Sequence, residues 1–174
     1  EWNYLAVLTL LIILLLYRVA SIIYLFKTSL TYRWRKFIVS ETDEDKPTFS
    51  FFHFILIGQA NQLNPTEKEN ILVHESAHVQ KLHSLDILVV NIVAIVCWFN
   101  PVVYLYKKAL VQLHEFEADD LAIKGNDTDA YCGLLAKVAL NSAGFPLGNH
   151  FNNSLTLKRI QMMKSIKNKI RNWK

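Results

Sequence analysis

His74-Glu75-Ser76-Ala77-His78, near the middle of a 174-residue chain, decides how the rest of the sequence is read. Two histidines four residues apart share one face of a helix, one turn above the other. Their ring nitrogens can then meet a single zinc ion, with the carboxylate of Glu75 beside them. Two neutral nitrogen ligands and an adjacent carboxylate base are what a zinc peptidase asks of a helix. A five-residue motif also arises by chance, so its surroundings must carry part of the argument.

A catalytic zinc held by two histidines usually takes one more protein ligand, often a glutamate. Downstream lies Leu113-His114-Glu115-Phe116-Glu117-Ala118-Asp119-Asp120, in a helical pattern. Glu115 and Asp119 are four apart and share a face, so Glu115 could bind the metal while Asp119 orients a ligand histidine. Glu117 is the alternative third ligand, but it lies about 200° around the helix from Glu115, so both cannot bind. The longer pattern HExxHxxGxxH fails, because Lys81 stands at its glycine and Ser84 at its third histidine, with His83 one residue out of register.

The stretch from Ile71 to Ile123 contains HESAHVQKLHSLD, then WFNPVVYLYKKAL, then HEFEADD. It resembles the BlaR/MecR-type membrane metallopeptidases, the antirepressor sensor-transducer family. Ser154-Leu155-Thr156-Leu157-Lys158-Arg159-Ile160 and Met162-Met163 extend the resemblance, which covers most of the chain from Phe49 onward. HExxH and ExxAD alone are also similar to the CAAX-processing and HtpX-type membrane proteases. The resemblance implies a gluzincin-like zinc endopeptidase domain set among membrane helices of a bacterial inner membrane. It implies His74, His78 and Glu115 as zinc ligands, Glu75 as base and Asp119 behind the ligands. A cytosolic or membrane-adjacent protein, a repressor in the family pattern, is the implied substrate.

Hydrophobic residues make up 52% of the chain, unevenly spread. Tyr4 to Phe26 is apolar apart from Thr9, Arg18 and Ser21. As a helix it would reach roughly 34 Å, enough to cross a hydrocarbon core. A long buried helix in a soluble domain is the competing reading. Arg18 costs roughly 2.5–3.5 kcal/mol at mid-membrane, less if it faces a polar cavity. A signal peptide does not fit, since no basic leader precedes the run and no small-residue cleavage site follows it. The chain opens on Glu1 rather than methionine, so it is expected to be a fragment, with further spans and a sensor or other C-terminal domain elsewhere.

Ile87 to Phe99 reaches only about 20 Å, which suits a re-entrant or partly inserted helix. Asn100-Pro101 breaks it, and proline can open the next helix. Asp86 to Asn100 and Asn100 to Glu115 are nearly equal in length. An antiparallel hairpin turning at Asn100 therefore returns Glu115 to the level of Asp86, just past the HExxH helix. Closure also requires a bend near His83-Ser84, where Ser84 could cap the new helix.

The expected architecture is mainly α and membrane-embedded, with a short β element before the HExxH helix. Residues 1–36 form a transmembrane helix whose basic end, Lys27 to Phe37, continues as helix. Residues 37–154 form the peptidase domain with its hairpin, and 155–174 a basic amphipathic helix beside the membrane. Glu41 to Pro47 reads as an acidic loop. Phe49 to Ile57, FSFFHFILI, reads as one strand, with Phe51, His53 and Ile55 as candidates to hold a substrate along its edge. Asn64-Pro65-Thr66-Glu67 is a helix start with a capping box. Gly125-Asn126 ends the Glu115 helix, Tyr131, Leu134, Leu135, Val138 and Ala139 mark another helix, and Gly144 to Asn153 is a loop.

Seven basic residues and no acid follow from Lys158 onward, along a stripe of Ile160, Met163, Ile166, Ile170 and Trp173. Such a helix most simply lies on an anionic membrane surface. Nothing else suggests nucleic acid as a partner. With Lys27, Arg33, Arg35 and Lys36, the basic flanks place the site on the cytoplasmic side. Cys97 and Cys132 fit buried free thiols rather than a disulfide framework. Two glycosylation sequons, at Asn126 and Asn152, are incidental on a cytoplasmic face. His83 and His114 are expected around the site rather than on the metal, and His53 as structural or at the substrate edge. His150 and Tyr131 are candidates to stabilise an oxyanion. A homodimer is left open.

Two functions compete: zinc-dependent endoproteolysis of a peptide or protein, and a catalytically silent signalling module with a vestigial zinc site. The intact Glu75 favours catalysis, since a vestigial site has no chemical reason to keep the base.

Overall fold

A computed structural model describes residues 2–44, 46–124, 127–141 and 155–165. The fold is mainly helical with one small sheet. The first helix, α1 (Trp2–Thr28), is long and apolar enough to cross a membrane. Its mean hydropathy over the best window is 2.5 and none of that window is buried against the rest of the chain. A helix apolar all round yet uncovered by protein suits lipid better than the interior of a soluble domain.

The chain leaves α1 earlier than its basic sequence suggests. Lys27 to Phe37 is not a helical continuation: after Ser29 and the exposed Leu30, Thr31–Trp34 forms strand β1 and Phe37–Glu41 forms β2. Threonine, tyrosine and tryptophan in sequence favour a pleated strand over a helix. Arg35, in the left-handed region at φ 54°, and Lys36 make the two-residue turn that pairs Trp34 with Phe37. The apolar run Phe49 to Ile57 is likewise not one strand. It folds into a hairpin, β3 (Phe49–Phe51) and β4 (Phe54–Ile57), with Phe51 opposite Phe54. Phe52 turns the corner at φ 50°, and its N–H donates to the Ser84 hydroxyl at 3.1 Å.

The sheet order is β1-β2-β4-β3, with β2 and β4 parallel and the other pairs antiparallel. β4 is therefore central, and β3 is an edge on which no further strand pairs among the described residues. One layer of side chains, Phe37, Val39, Ile55 and Ile57, packs against Leu72 and Val79 of the next helix. Gly58 closes this layer, because a Cβ there would collide with the Lys46 carbonyl. Phe26 at the end of α1 stacks on Phe54 at 4.9 Å and meets Phe49 edge-on, seating that helix on the sheet.

Helix α2 (Pro65–Gln80) starts at the expected capping box: Asn64 Oδ1 accepts from the Glu67 N–H, and Glu67 accepts from the Asn64 N–H. It breaks at Lys81-Leu82 and continues as α3 (His83–Val96), bent by 56°. The bend is made by Leu82 at φ 57°, not by a serine cap; Ser84 is spent on the β3–β4 turn instead. Asn100 then caps α4 (Pro101–Ile123) through the Val102 N–H. The α3–α4 hairpin returns as its equal arms require, with His114 Nε2 3.1 Å from Asp86 Oδ2. Its outer surface exposes Leu85, Val89, Val93, Trp98 and Phe99.

Helix α5 (Thr128–Asn141) buries Tyr131, Cys132 and Leu134 against Ala122 of α4 and Met163 of a last helix, α6, at residues 155–165. Met163 is fully buried, so this part of the basic C-terminal segment packs its Met163 face into the domain. The expected continuation through 166–174, the helix end at Gly125-Asn126 and the loop at Gly144 to Asn153 lie outside the described residues.

Candidate metal centre

α2 brings His74 and His78 to one face, with Nε2 atoms 3.2 Å apart. The returning α4 places Glu115 against both: Oε2 is 3.6 Å from His74 Nε2, and Oε1 is 3.8 Å from His78 Nε2. One donor atom from each of these three residues lies within 4.8 Å of the others. Two imidazoles and a carboxylate, converging in a mostly buried site, suit a divalent metal ion such as zinc.

The outward nitrogens complete the fit. His74 Nδ1 lies 3.3 Å from Asp119 Oδ1 and 2.9 Å from the Tyr131 hydroxyl, which donates to the same carboxylate at 3.0 Å. His78 Nδ1 lies 2.8 Å from His83 Nδ1. Both imidazoles thus turn Nε2 inward and hold Nδ1 on a protein partner, as histidine ligands of metals do.

Charge in the site is strongly perturbed. Burial would depress His74, but its hydrogen bonds to Asp119 and Glu115 overcome that and lift it to about 9. His78 falls to about 3, through burial and then the positive charge of His74. Glu115 is held down at about 2 in spite of burial, by its bond to His74 and by Arg159. Asp119, fully buried, is likewise held to about 2 against burial, chiefly by Arg159 and His74. For His74, Glu115 and Asp119 the directions agree, since a positive charge is favoured between the two carboxylates; His78 goes the other way and is held in its neutral form. Glu75 is different. Burial pushes its carboxyl up, eased by the His74 charge and a hydrogen bond from Ser50 on β3.

Arg159 is the site residue that sequence reasoning missed. From α6 it donates Nε and Nη2 to Asp119 at 2.8 and 2.7 Å, and Nη1 reaches Glu115 Oε2 at 2.7 Å. Its charge alone groups it with the basic run that follows Lys158. Yet it stands four residues before Met163, on the same helical face as a core side chain, and that signal was available.

Other candidates are sorted by the fold. Glu117 turns away from the triad and meets His83 Nε2 at 3.3 Å. His114 stacks on His83 with ring centres 3.8 Å apart. Tyr131 sits behind His74, its hydroxyl held between His74 Nδ1 and Asp119 Oδ1. Of the expected edge residues, Phe51 does lie on β3, but His53 is in the turn and Ile55 is fully buried in the central strand. Ile55 cannot accept an added strand, because β4 is already paired on both sides. His150 lies outside the described residues.

Compared with known proteins, residues 51–163 match the family described as BlaR1 peptidase M56. The chain is also 24% identical, over 144 residues, to the regulatory protein BlaR1 of Staphylococcus aureus. That alignment takes in 76% of this chain but only 25% of the relative, so the chain spans about a quarter of that protein's length.

Proposed function

Because this chain belongs to the BlaR1 peptidase M56 family, we propose that it is the catalytic part of a membrane-anchored, zinc-dependent endopeptidase acting in signal transduction. The observation that carries the reading is the convergence of His74, His78 and Glu115 within 4.8 Å, from two helices, with both outer imidazole nitrogens already held. His74, His78 and Glu115 are the ligands. When bound there, zinc would supply Lewis acidity to the scissile carbonyl and to the attacking water.

The chain's own residues do the rest. Glu75 takes a proton from the attacking water on its carboxylate and passes it to the departing amine. A buried carboxyl with a raised proton affinity is suited to both steps. Asp119 and Tyr131 hold the His74 ring from behind, and Arg159 fixes Glu115 and Asp119 together. Ser50, bonded to Glu75, sits in the middle of β3, whose free edge runs alongside the site. An extended substrate can add to that edge through main-chain hydrogen bonds, whatever its side chains. The substrate class is a cytosolic or membrane-adjacent protein. Lys27, Arg33, Arg35 and Lys36 cluster at the end of α1 and favour a cytoplasmic site.

Glu75→Gln in the full-length protein should keep zinc at wild-type content and abolish proteolysis. His74→Ala, His78→Ala and Glu115→Ala should each lose zinc. Undiminished cleavage with Glu75→Gln would show that this site does not do the cutting, and would leave the silent-module reading in its place.

A further inference from the structure

Two cavities of similar size meet at the triad. One, of about 520 Å³, lies between the sheet, α2, α5 and α6, and is lined by His74, Glu75, Glu115 and Arg159 with Lys46 and Lys137. The other, of about 510 Å³, lies between α1 and the α3–α4 hairpin. Its wall is mainly Leu14, Val19 and Ile22 of α1, Leu88 and Ile95 of α3 and Val111 of α4. Arg18 and Lys107 also line it, and the Lys107 ammonium is occupied by Asn91 Oδ1 at 2.6 Å. Among the described residues Glu115 alone lines both cavities, and His78 borders the second. Ser50 and Phe51, on the free edge strand, also border the second cavity.

We propose that the cleaved peptide crosses from one cavity to the other, so that the preferred substrate joins a polar segment to an apolar one at the scissile bond. The inference rests on the peptidase reading above and adds the substrate class to it. A peptide laid along β3 passes the cavity bordered by Pro47 and Thr48, beside Glu75 and Glu115, and then the cavity bordered by Ser50 and Phe51, between α1 and the hairpin. That space is walled by the helix apolar enough to cross a membrane and by aliphatic side chains of α3. Its volume exceeds what one side chain fills, so a run of several apolar residues is accommodated. Burying such a run rewards it over a polar one by about tenfold for each large side chain or two methylenes lost from water. On the other side the lining is mixed: Lys46, Lys137 and Arg159, each paired with a carboxylate, stand among Leu63, Ile71, Leu134 and Val138, so a polar segment is accommodated there and an apolar one gains less. A sequence of that kind occurs where a soluble segment meets a membrane-embedded one.

The test uses full-length, zinc-loaded protein in lipid nanodiscs and pools of randomised decapeptides. Each pool is extended at one end by either Leu-Leu-Ala-Leu or Ser-Gly-Ser-Gly, and cleavage is counted by mass spectrometry against Glu75→Gln. The Leu-rich extension on one of the two ends should raise cleavage at least tenfold over the Ser-Gly extension. Ala94→Trp, which narrows the second cavity from α3, should reduce that ratio to below threefold. Binding is read separately: a photoreactive leucine in the extension, on Glu75→Gln protein, should label α1 or α3. Cleavage without preference for either extension, or labelling confined to the sheet, α5 and α6, overturns the proposal while leaving the peptidase reading standing. Labelling of α1 and α3 in lipid-free detergent but not in nanodiscs shows a lipid chain as the occupant and overturns it as well. No cleavage above Glu75→Gln in any pool removes the peptidase reading, and this inference with it.

Discussion

The two histidines proposed as ligands are one helical turn apart, yet the protein backs them in opposite ways. Behind His74 stands a closed ionic cluster: Asp119 at 0% exposure, Tyr131 at 1%, and Arg159 bridging Asp119 to Glu115. Behind His78 stands a chain of imidazole rings ending at half-exposed carboxylates: His83 to Glu117, and the stacked His114 to Asp86. The His74 side is built from α4, α5 and α6, far apart in sequence and locked by charge in a dry interior. The His78 side joins His83 and Asp86, in the first turn of α3 at the α2–α3 bend, to His114 and Glu117 of α4. In a low-dielectric cluster an ion pair is costly to break, whereas a carboxylate open to solvent is screened. The difference predicts a rigid half and a compliant half of one site.

Breaking the rigid half should have the largest effect. Arg159→Met leaves two buried carboxylates without their cation, and the loss of stability should be about 3–5 kcal/mol. Thermal or denaturant unfolding of the metal-free protein reads this directly. A loss below about 1 kcal/mol would show that α6 is not held by the cluster. Next comes Asp119→Asn, which keeps the shape but removes the charge that orients His74. Zinc affinity should fall roughly 10–100-fold, as for other residues that hold a ligand from behind. An unchanged affinity in competition with a chelator would erase the contrast between the two histidines.

The compliant half should respond less. His83→Ala frees His78 Nδ1 to bond water in place of the ring, so zinc affinity should drop less than tenfold. An effect as large as that of Asp119→Asn would make the two halves equivalent. The smallest change is expected for Glu117→Gln, whose carboxylate is 44% exposed and one ring removed from the ligand. Zinc affinity should stay within about twofold and stability within about 0.5 kcal/mol, as for exposed ion pairs in general. Zinc content that depended on Glu117 would show that the ligand face of α4 is the other one.

What the sequence determined by itself was whatever depends on helical spacing. The i, i+4 pairs His74/His78 and Glu115/Asp119, the capping box at Asn64 and Glu67, and the proline start at Pro101 need only local geometry. Counting residues on either side of Asn100 was enough to return Glu115 to the level of Asp86, because a helix rises by a fixed step. The apolarity of Tyr4 to Phe26 was likewise a property of composition. The sheet was a different matter. Nothing within Thr31–Trp34 or Phe37–Glu41 announces a partner, and the parallel pairing of β2 with β4 joins segments that are separated by β3 and the loops around it. Strand pairing is decided by which distant segments bury the same layer, so FSFFHFILI could be read as one strand while Phe52 turns it into two. Arg159 shows the same limit in the site. Its helix periodicity pointed inward with Met163, but only the packing of α6 on α4 and α5 supplied the two carboxylates that make an inward arginine stable. Charge alone sent it to a membrane surface; tertiary structure brought it to Glu115 and Asp119, because a buried cation is tolerated only where its counter-charges already stand.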